Sequence, residues 1–271
     1  MTLLVTGGDG QLGSHLAALP GVTALGRSEL DVCDPTSVDR ALHHHQPTAV
    51  IHAAAFTHVD GCTTHPARAY RVNAGGTELV ARSCARRGIR LLHISTDYVL
   101  HGPDTPGHRL PLHAPTLPLN AYGRSKWAGE QAAAAHGATI VRVQWVYHRG
   151  GAGFVNRALL RMQAGEAVPL VTDQVGSPTP APLLAGWLHH LAGCPTLPPV
   201  IHLATRGEAT PDEWVCALAR ASGIHPRSRP ISRTHLPGAP RPARSCLAVD
   251  ASEALLPSPI PHWHDALLAL F

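Results

Sequence analysis

Tyr122 and Lys126 stand four residues apart in Tyr122-Gly123-Arg124-Ser125-Lys126, a spacing that places both on one face of a helix. A phenol beside an ammonium is an acid–base pair. The cation favours the phenolate and lowers a pKa that is normally ~10, so that the phenol can donate and accept a proton at working pH. That is the chemistry a ketone oxygen needs when it is reduced. Lys126 is also the sole lysine in the chain, while arginine fills the other permanently cationic positions. Arg is a broad planar fork, whereas Lys is a compact donor able to reach ribose hydroxyls and a phenol together. Without such a need the pair would be an ordinary helix surface.

A second set of residues reads as a phosphate cradle. Gly7-Gly8-Asp9-Gly10-Gln11-Leu12-Gly13 follows an apolar run and opens a helical one. Glycines at 7, 10 and 13 allow a tight turn that lets a pyrophosphate reach backbone N–H groups at a helix start. Further on, Arg27 either matches the 2′-phosphate of NADPH, favouring it over NADH, or is a solvated surface residue. Asp31 either bonds an adenine amino group or caps the helix that begins after Pro35. Ala53, Ala54 and Ala55 end a strand with side chains small enough for the ribose and nicotinamide to approach, and Thr57 offers a hydroxyl at the same edge. Thr96, in Ile94-Ser95-Thr96-Asp97-Tyr98-Val99, either bonds a substrate carbonyl or caps the strand end, with Asp97 and Tyr98 projecting into the same crevice.

The elements that must hold these residues alternate. Short apolar runs at Leu3 to Thr6, Val22 to Leu25, Ala49 to His52, Leu91 to Ser95 and Thr139 to Val143 predict buried parallel strands. Helical periodicity covers Gln11 to Leu19, Val38 to His44, Pro66 to Arg86 and Ala121 to Ala135. The expected fold class is α/β, a Rossmann-like doubly wound parallel sheet over residues 1–145. A smaller C-terminal substrate-binding lobe over 146–271 follows, some elements of which return to the core. In that half, helices are expected at Phe154 to Ala164, Pro182 to Leu191, Pro211 to Ala221 and His262 to Leu270, with a strand near Val200 to Leu203. The Pro-, Gly- and His-rich stretch His101 to Leu119 reads as a functional loop.

With 271 residues, 44% of them hydrophobic and 15% charged, the composition is that of a globular protein with a full core. A net charge of +4 with scattered arginines shows no footprint for nucleic acid, and no apolar stretch is long enough to span a bilayer. Six cysteines without a C-x-x-C pair indicate neither a zinc site nor a disulfide framework, and a cytoplasmic location is expected. The run His43-His44-His45 lacks a metal-ligand spacing and is expected at the surface.

Together these motifs resemble the dTDP-4-dehydrorhamnose reductase family of extended short-chain dehydrogenases. The likeness runs through Ala53-Ala54-Ala55-Phe56-Thr57-His58-Val59-Asp60, Val72-Asn73, Pro118 to Lys126 and Val143-Gln144-Trp145-Val146-Tyr147. It is most specific in Asp173-Gln174-Val175-Gly176-Ser177-Pro178-Thr179, and continues to Arg241-Pro242, Ser245 and Leu247. The resemblance implies NADPH-dependent reduction, with NADH possible, of the C4 ketone of dTDP-4-dehydro-6-deoxy-L-mannose to dTDP-L-rhamnose. It implies Thr96, Tyr122 and Lys126 as catalytic residues, and Gly10, Gln11, Leu12, Asp31, Val32, Ala55, Phe56 and Thr57 as cofactor contacts. Val59, Thr96, Asp97 and Tyr98 fall to the sugar side, with Trp145 as an aromatic wall or a core residue. A related dehydratase activity is not expected, because Tyr98 stands where those enzymes carry Glu after the Asp. Departures occur at Gly61-Cys62-Thr63-Thr64, at Leu112-His113-Ala114, and at Pro182, where some members place a glutamate for magnesium. They argue against a magnesium-bridged dimer; monomer or homodimer remains open. Two alternatives remain: reduction of another nucleotide-linked 4-keto-deoxyhexose, and a non-catalytic NADP-binding regulatory subunit.

Overall fold

The computed structural model describes residues 2–150 and 153–271. Its strands are β1 (Leu3–Thr6), β2 (Val22–Leu25), β3 (Ala49–His52), β4 (Arg90–Thr96), β5 (Thr139–Val143), β6 (Val146–Tyr147), β7 (Val168–Val171), β8 (Thr179–Pro180), β9 (Val200–Leu203) and β10 (Ser228–Ile231). Its helices are α1 (Gln11–Ala17), α2 (Pro35–His45), α3 (Val59–Thr64), α4 (Pro66–Tyr70), α5 (Thr77–Arg86), α6 (Ala121–Ala134), α7 (Phe154–Gln163), α8 (Ala181–Gly193), α9 (Pro211–Ala221), α10 (Asp250–Glu253) and α11 (Trp263–Leu268).

Six strands form one parallel sheet in the order β2-β1-β3-β4-β5-β9. Every residue of β1, β3 and β5 is buried, so both faces need a cover of helices. Leu12 and Leu16 of α1 and Leu184, Leu188 and Leu191 of α8 pack one face. Val38 and Leu42 of α2, Val80 and Cys84 of α5 and Ala133 of α6 pack the other. The strand order reverses between β1 and β3, and at such a switch point a crevice opens beyond the carboxyl ends of the strands.

A second core of Val155, Leu159, Trp214, Val215 and Trp263 lies among α7, α9 and α11. Not all of the C-terminal half belongs there, because β9 completes the main sheet beside β5 and α8 packs on α1. The helix expected over Pro66 to Arg86 is broken into α4 and α5 by a π-helical turn at Arg71–Gly76, a wider coil that often marks a functional site. The loop before α6 is tied down at Leu110, whose N–H donates to the Cys246 carbonyl at 2.7 Å and whose carbonyl accepts from Ala248 N at 2.9 Å.

Candidate active site

A cavity of about 450 Å³ lies over the switch point, walled by the ends of β1, β3, β4 and β5. The turn after β1 forms its floor. Gly7 has φ +77°, and a Cβ on Gly13 would lie 2.8 Å from Gly8 Cα, so the turn closes only with glycine at these positions. Gly10 precedes α1 with no side chain capping the helix, leaving its first N–H groups toward the cavity floor. Arg27, Asp31, Val32 and Cys33 line one end. Arg27 N donates to Asp9 Oδ2 at 3.2 Å. Asp31 does not cap α2: its Oδ1 accepts from Cys33 N at 2.9 Å, and Asp34 caps that helix through Thr36 N at 3.0 Å. Ala53, Ala54, Ala55, Phe56 and Thr57 line the middle.

Asn120 starts α6 by accepting from Gly123 N at 2.8 Å, which sets the phase that turns Tyr122 and Lys126 to the cavity. Lys126 is buried, and its Nζ donates to the Ile94 carbonyl at 2.7 Å. Burial lowers its pKa to about 8, opposed by the Glu130 carboxylate one turn further along α6. Glu130 itself is held in a buried fork by Arg142, at 3.0 and 2.9 Å. Thr96 meets the Tyr122 hydroxyl and donates to Asp97 Oδ1 at 3.0 Å. Burial raises the Asp97 pKa to about 6 against hydrogen bonds from Ser245, Gln144 and Thr96.

The expectation that the ammonium lowers the phenol pKa does not hold here. Burial of Tyr122 pushes it above the ordinary tyrosine value; Thr96 opposes this only in part, and Asp97 adds to it. Low polarity around the ring penalises the phenolate more than surrounding dipoles favour it. Tyr122 is therefore a neutral O–H donor at neutral pH.

The cavity brings together Gly7, Gly10 and Gly13 of the turn, Gln11, Leu12, Arg27, Asp31, Val32, the segment 53–57, Thr96, Asp97, Tyr122, Lys126 and Trp145. Val59 and Tyr98 are not among its walls. Val59 begins α3, directed by the packing of that helix on α6. Tyr98 packs edge-on against the Tyr122 ring at 5.9 Å and accepts from Gln174 Nε2 at 3.5 Å, so it braces that ring. Trp145 is both wall and packing residue: it lines the cavity and stacks on Trp214 at 5.7 Å. Its φ of +41° is a left-handed conformation uncommon for a bulky side chain, of the kind that persists at sites held by surrounding structure.

Sequence reasoning missed two contributions. Arg68 lines the cavity with its guanidinium 4.7 Å from the Phe56 ring centroid, on a five-residue helix with no distinguishing pattern. Asn73, buried in the π turn, accepts from Phe56 N at 2.7 Å and donates to Ser125 Oγ at 2.9 Å, fastening the strand-end segment 53–57 to α6. Its place in Val72-Asn73 was the available signal. Among the described residues no group of three or more His, Cys, Asp or Glu side chains is placed to hold a metal ion.

The sequence profile described as the RmlD substrate binding domain matches residues 1–271. The chain belongs to this family. It is 40% identical to a dTDP-4-dehydrorhamnose reductase of Mycobacterium tuberculosis over 98% of this chain and 90% of that one. It is 37% identical to a dTDP-4-keto-6-deoxy-D-glucose reductase of Streptomyces niveus, over 99% and 96% of the two chains. Among solved structures, a dTDP-4-dehydrorhamnose reductase from Bacillus anthracis in complex with NADP superposes with a TM-score of 0.92 at 27% identity, covering 99% and 98%. The Rossmann-like architecture expected from the strand and helix pattern is thus that of this family.

Proposed function

We propose that this protein reduces the C4 ketone of dTDP-4-dehydro-6-deoxy-L-mannose with NADPH, giving dTDP-L-rhamnose. The observation that carries the reading is the convergence of Tyr122, Thr96 and Lys126 on one cavity whose floor is the glycine turn. The cavity fits a dinucleotide: a Cβ on Gly7 would sit 2.8 Å from the Ala54 backbone, and buried Ser95 Oγ, in the cavity wall, has no hydrogen-bond partner. When bound, the nicotinamide supplies hydride to the sugar carbonyl carbon. The Gly7–Gly13 turn and α1 start would hold the pyrophosphate, Arg27 the 2′-phosphate, and Lys126 the ribose hydroxyls.

The chain's own groups supply the proton. Tyr122 is neutral because of its burial, so it enters the reduction direction already carrying the proton that the carbonyl oxygen takes. Thr96 offers a second hydroxyl beside it. Lys126, a cation over most of the neutral range, brings a positive charge to the same cavity. The Trp145 indole shields the sugar side from water.

The test is reduction by purified protein of enzymatically made dTDP-4-keto-6-deoxyglucose, with and without a 3,5-epimerase, followed by identification of the product. NADPH oxidation dependent on the epimerase, and lost by about 10²-fold or more in Tyr122→Phe, is expected. Full turnover by the Tyr122→Phe variant rules the mechanism out. The Streptomyces niveus relative favours a second reading with the same chemistry on an unepimerised or different 4-keto sugar. Turnover without the epimerase selects it. A purely regulatory NADP-binding role is disfavoured, since cofactor binding alone requires no Thr96–Tyr122 pairing.

A further inference from the structure

We propose that His93 is the positioning residue for Lys126, its neutral imidazole accepting one N–H of the ammonium through Nε2 while the Ile94 carbonyl takes another. The inference rests on the reading of Tyr122 and Lys126 given above. An ammonium has three donors on a freely rotating end, and catalysis needs one of them held toward the cavity. The Ile94 carbonyl at 2.7 Å fixes one direction. His93 Nε2, at 3.4 Å on the same strand, fixes a second. The third is left for the cavity that Lys126 lines.

His93 has the properties this role requires. It is fully buried, and its ring tilts over that of His52 at 5.3 Å. His52 is itself anchored on both nitrogens, to Thr6 Oγ1 at 2.7 Å and Thr77 Oγ1 at 3.1 Å, so the stack cannot rotate away. For Nε2 to accept, the proton must sit on Nδ1. Nδ1 has no partner, a desolvation cost that an apolar side chain of the same volume would avoid. A group retained at that cost beside the sole lysine has a polar task.

The charges around the pair keep the roles distinct. From α6, Glu130 favours the ammonium and Tyr122 is neutral; from β5, Arg142 neutralises Glu130; from β3, His52 is held neutral by burial. Asp97, at the end of β4, faces the same cavity. Burial, then Lys126, then His52 hold His93 well below the ordinary histidine range, so it stays an acceptor throughout the neutral range.

The single lysine makes the test direct. Protein grown on isotopically labelled lysine gives one side-chain NMR signal, and its pH titration reads Lys126 without cofactor or substrate. His93→Gln keeps an oxygen that reaches the ammonium; His93→Asn keeps polarity but falls short. The wild type should titrate near about 8. His93→Gln should match it, and His93→Asn should titrate lower by about one unit, the loss of one hydrogen bond to a charged group. The alkaline limb of the kcat profile should move down by the same amount. An unmoved lysine titration in folded His93→Asn overturns the proposal. If His93→Asn does not fold, His93→Gln decides: a wild-type titration supports the bond, and a shift of about one unit or more overturns it. A wild type that reduces no dTDP-linked 4-keto sugar defeats the functional reading alone, because the lysine titration still judges the His93 contact.

Discussion

Replacing Glu130 with Gln couples the stability of this fold to its chemistry. The Glu130–Arg142 fork is buried on both sides, at 2% and 5% side-chain exposure, and Arg142 also donates to the Leu112 carbonyl at 3.1 Å. Removing one charge leaves a guanidinium without its counter-ion in a site of low polarity, a loss of about 3 kcal/mol when the neutral amide keeps one acceptor. For a chain of this size that is a fall in Tm of about 6–12 °C. The same carboxylate raises the Lys126 pKa against burial, so its loss moves Lys126 below about 8. The sign follows from linkage. The folded value lies below the unfolded one of ~10.4, so the fold loses stability as pH falls and the lysine gains its proton. In the variant that loss extends to lower pH, and fewer molecules carry the ammonium at pH 8. Thermal unfolding across pH 6–10 and the kcat profile measure both effects. A folded variant with the wild-type Tm and an unmoved alkaline limb would refute the argument, because either the pair or its action on Lys126 would then be absent.

Three further outcomes can be checked. Arg27→Ala should weaken NADPH about tenfold or more while leaving NADH nearly unchanged, as fluorescence titration will report; equal losses for both assign Arg27 no 2′-phosphate contact. Gly176→Ala would place a Cβ 2.7 Å from Trp145 Cδ2 and Cζ2, so the indole must swing. The sugar KM should rise with little change in that of NADPH, and unchanged kinetics would show that Trp145 does not wall the sugar. Asp97, raised from about 3.8 to about 6, costs the fold up to about 3 kcal/mol as its carboxyl ionises. Wild-type stability should therefore fall between pH 4 and pH 6 more steeply than that of Asp97→Asn, and parallel denaturation curves would contradict the assignment.

The six strands of the main sheet were legible because each is a largely apolar run bounded by turn residues, and the Tyr122–Lys126 pair because helical spacing is local. By contrast, β6, β7, β8 and β10 were not foreseen, because they are short and carry no such run or sit outside the alternating pattern. Non-local features were hidden. Val59, at the start of α3, does not line the cavity, and Tyr98 packs edge-on against Tyr122; neither placement follows from position in a motif. The π turn at Arg71–Gly76 depends on how Asn73 bridges Phe56 and Ser125, partners 17 and 52 residues away. The direction of the Tyr122 shift was misjudged because spacing reports a neighbouring charge but not the desolvation that outweighs it.

The seat of β9 beside β5 bears on how this chain can be divided. A fragment ending near residue 145 would retain the glycine turn and the Tyr122–Lys126 pair, yet would bare the outer flank of Thr139–Val143, a run buried along its whole length. Unpaired peptide groups on such a flank template the addition of foreign strands. This N-terminal fragment is therefore expected to precipitate when expressed alone, its missing neighbour being the four residues Val200–Leu203.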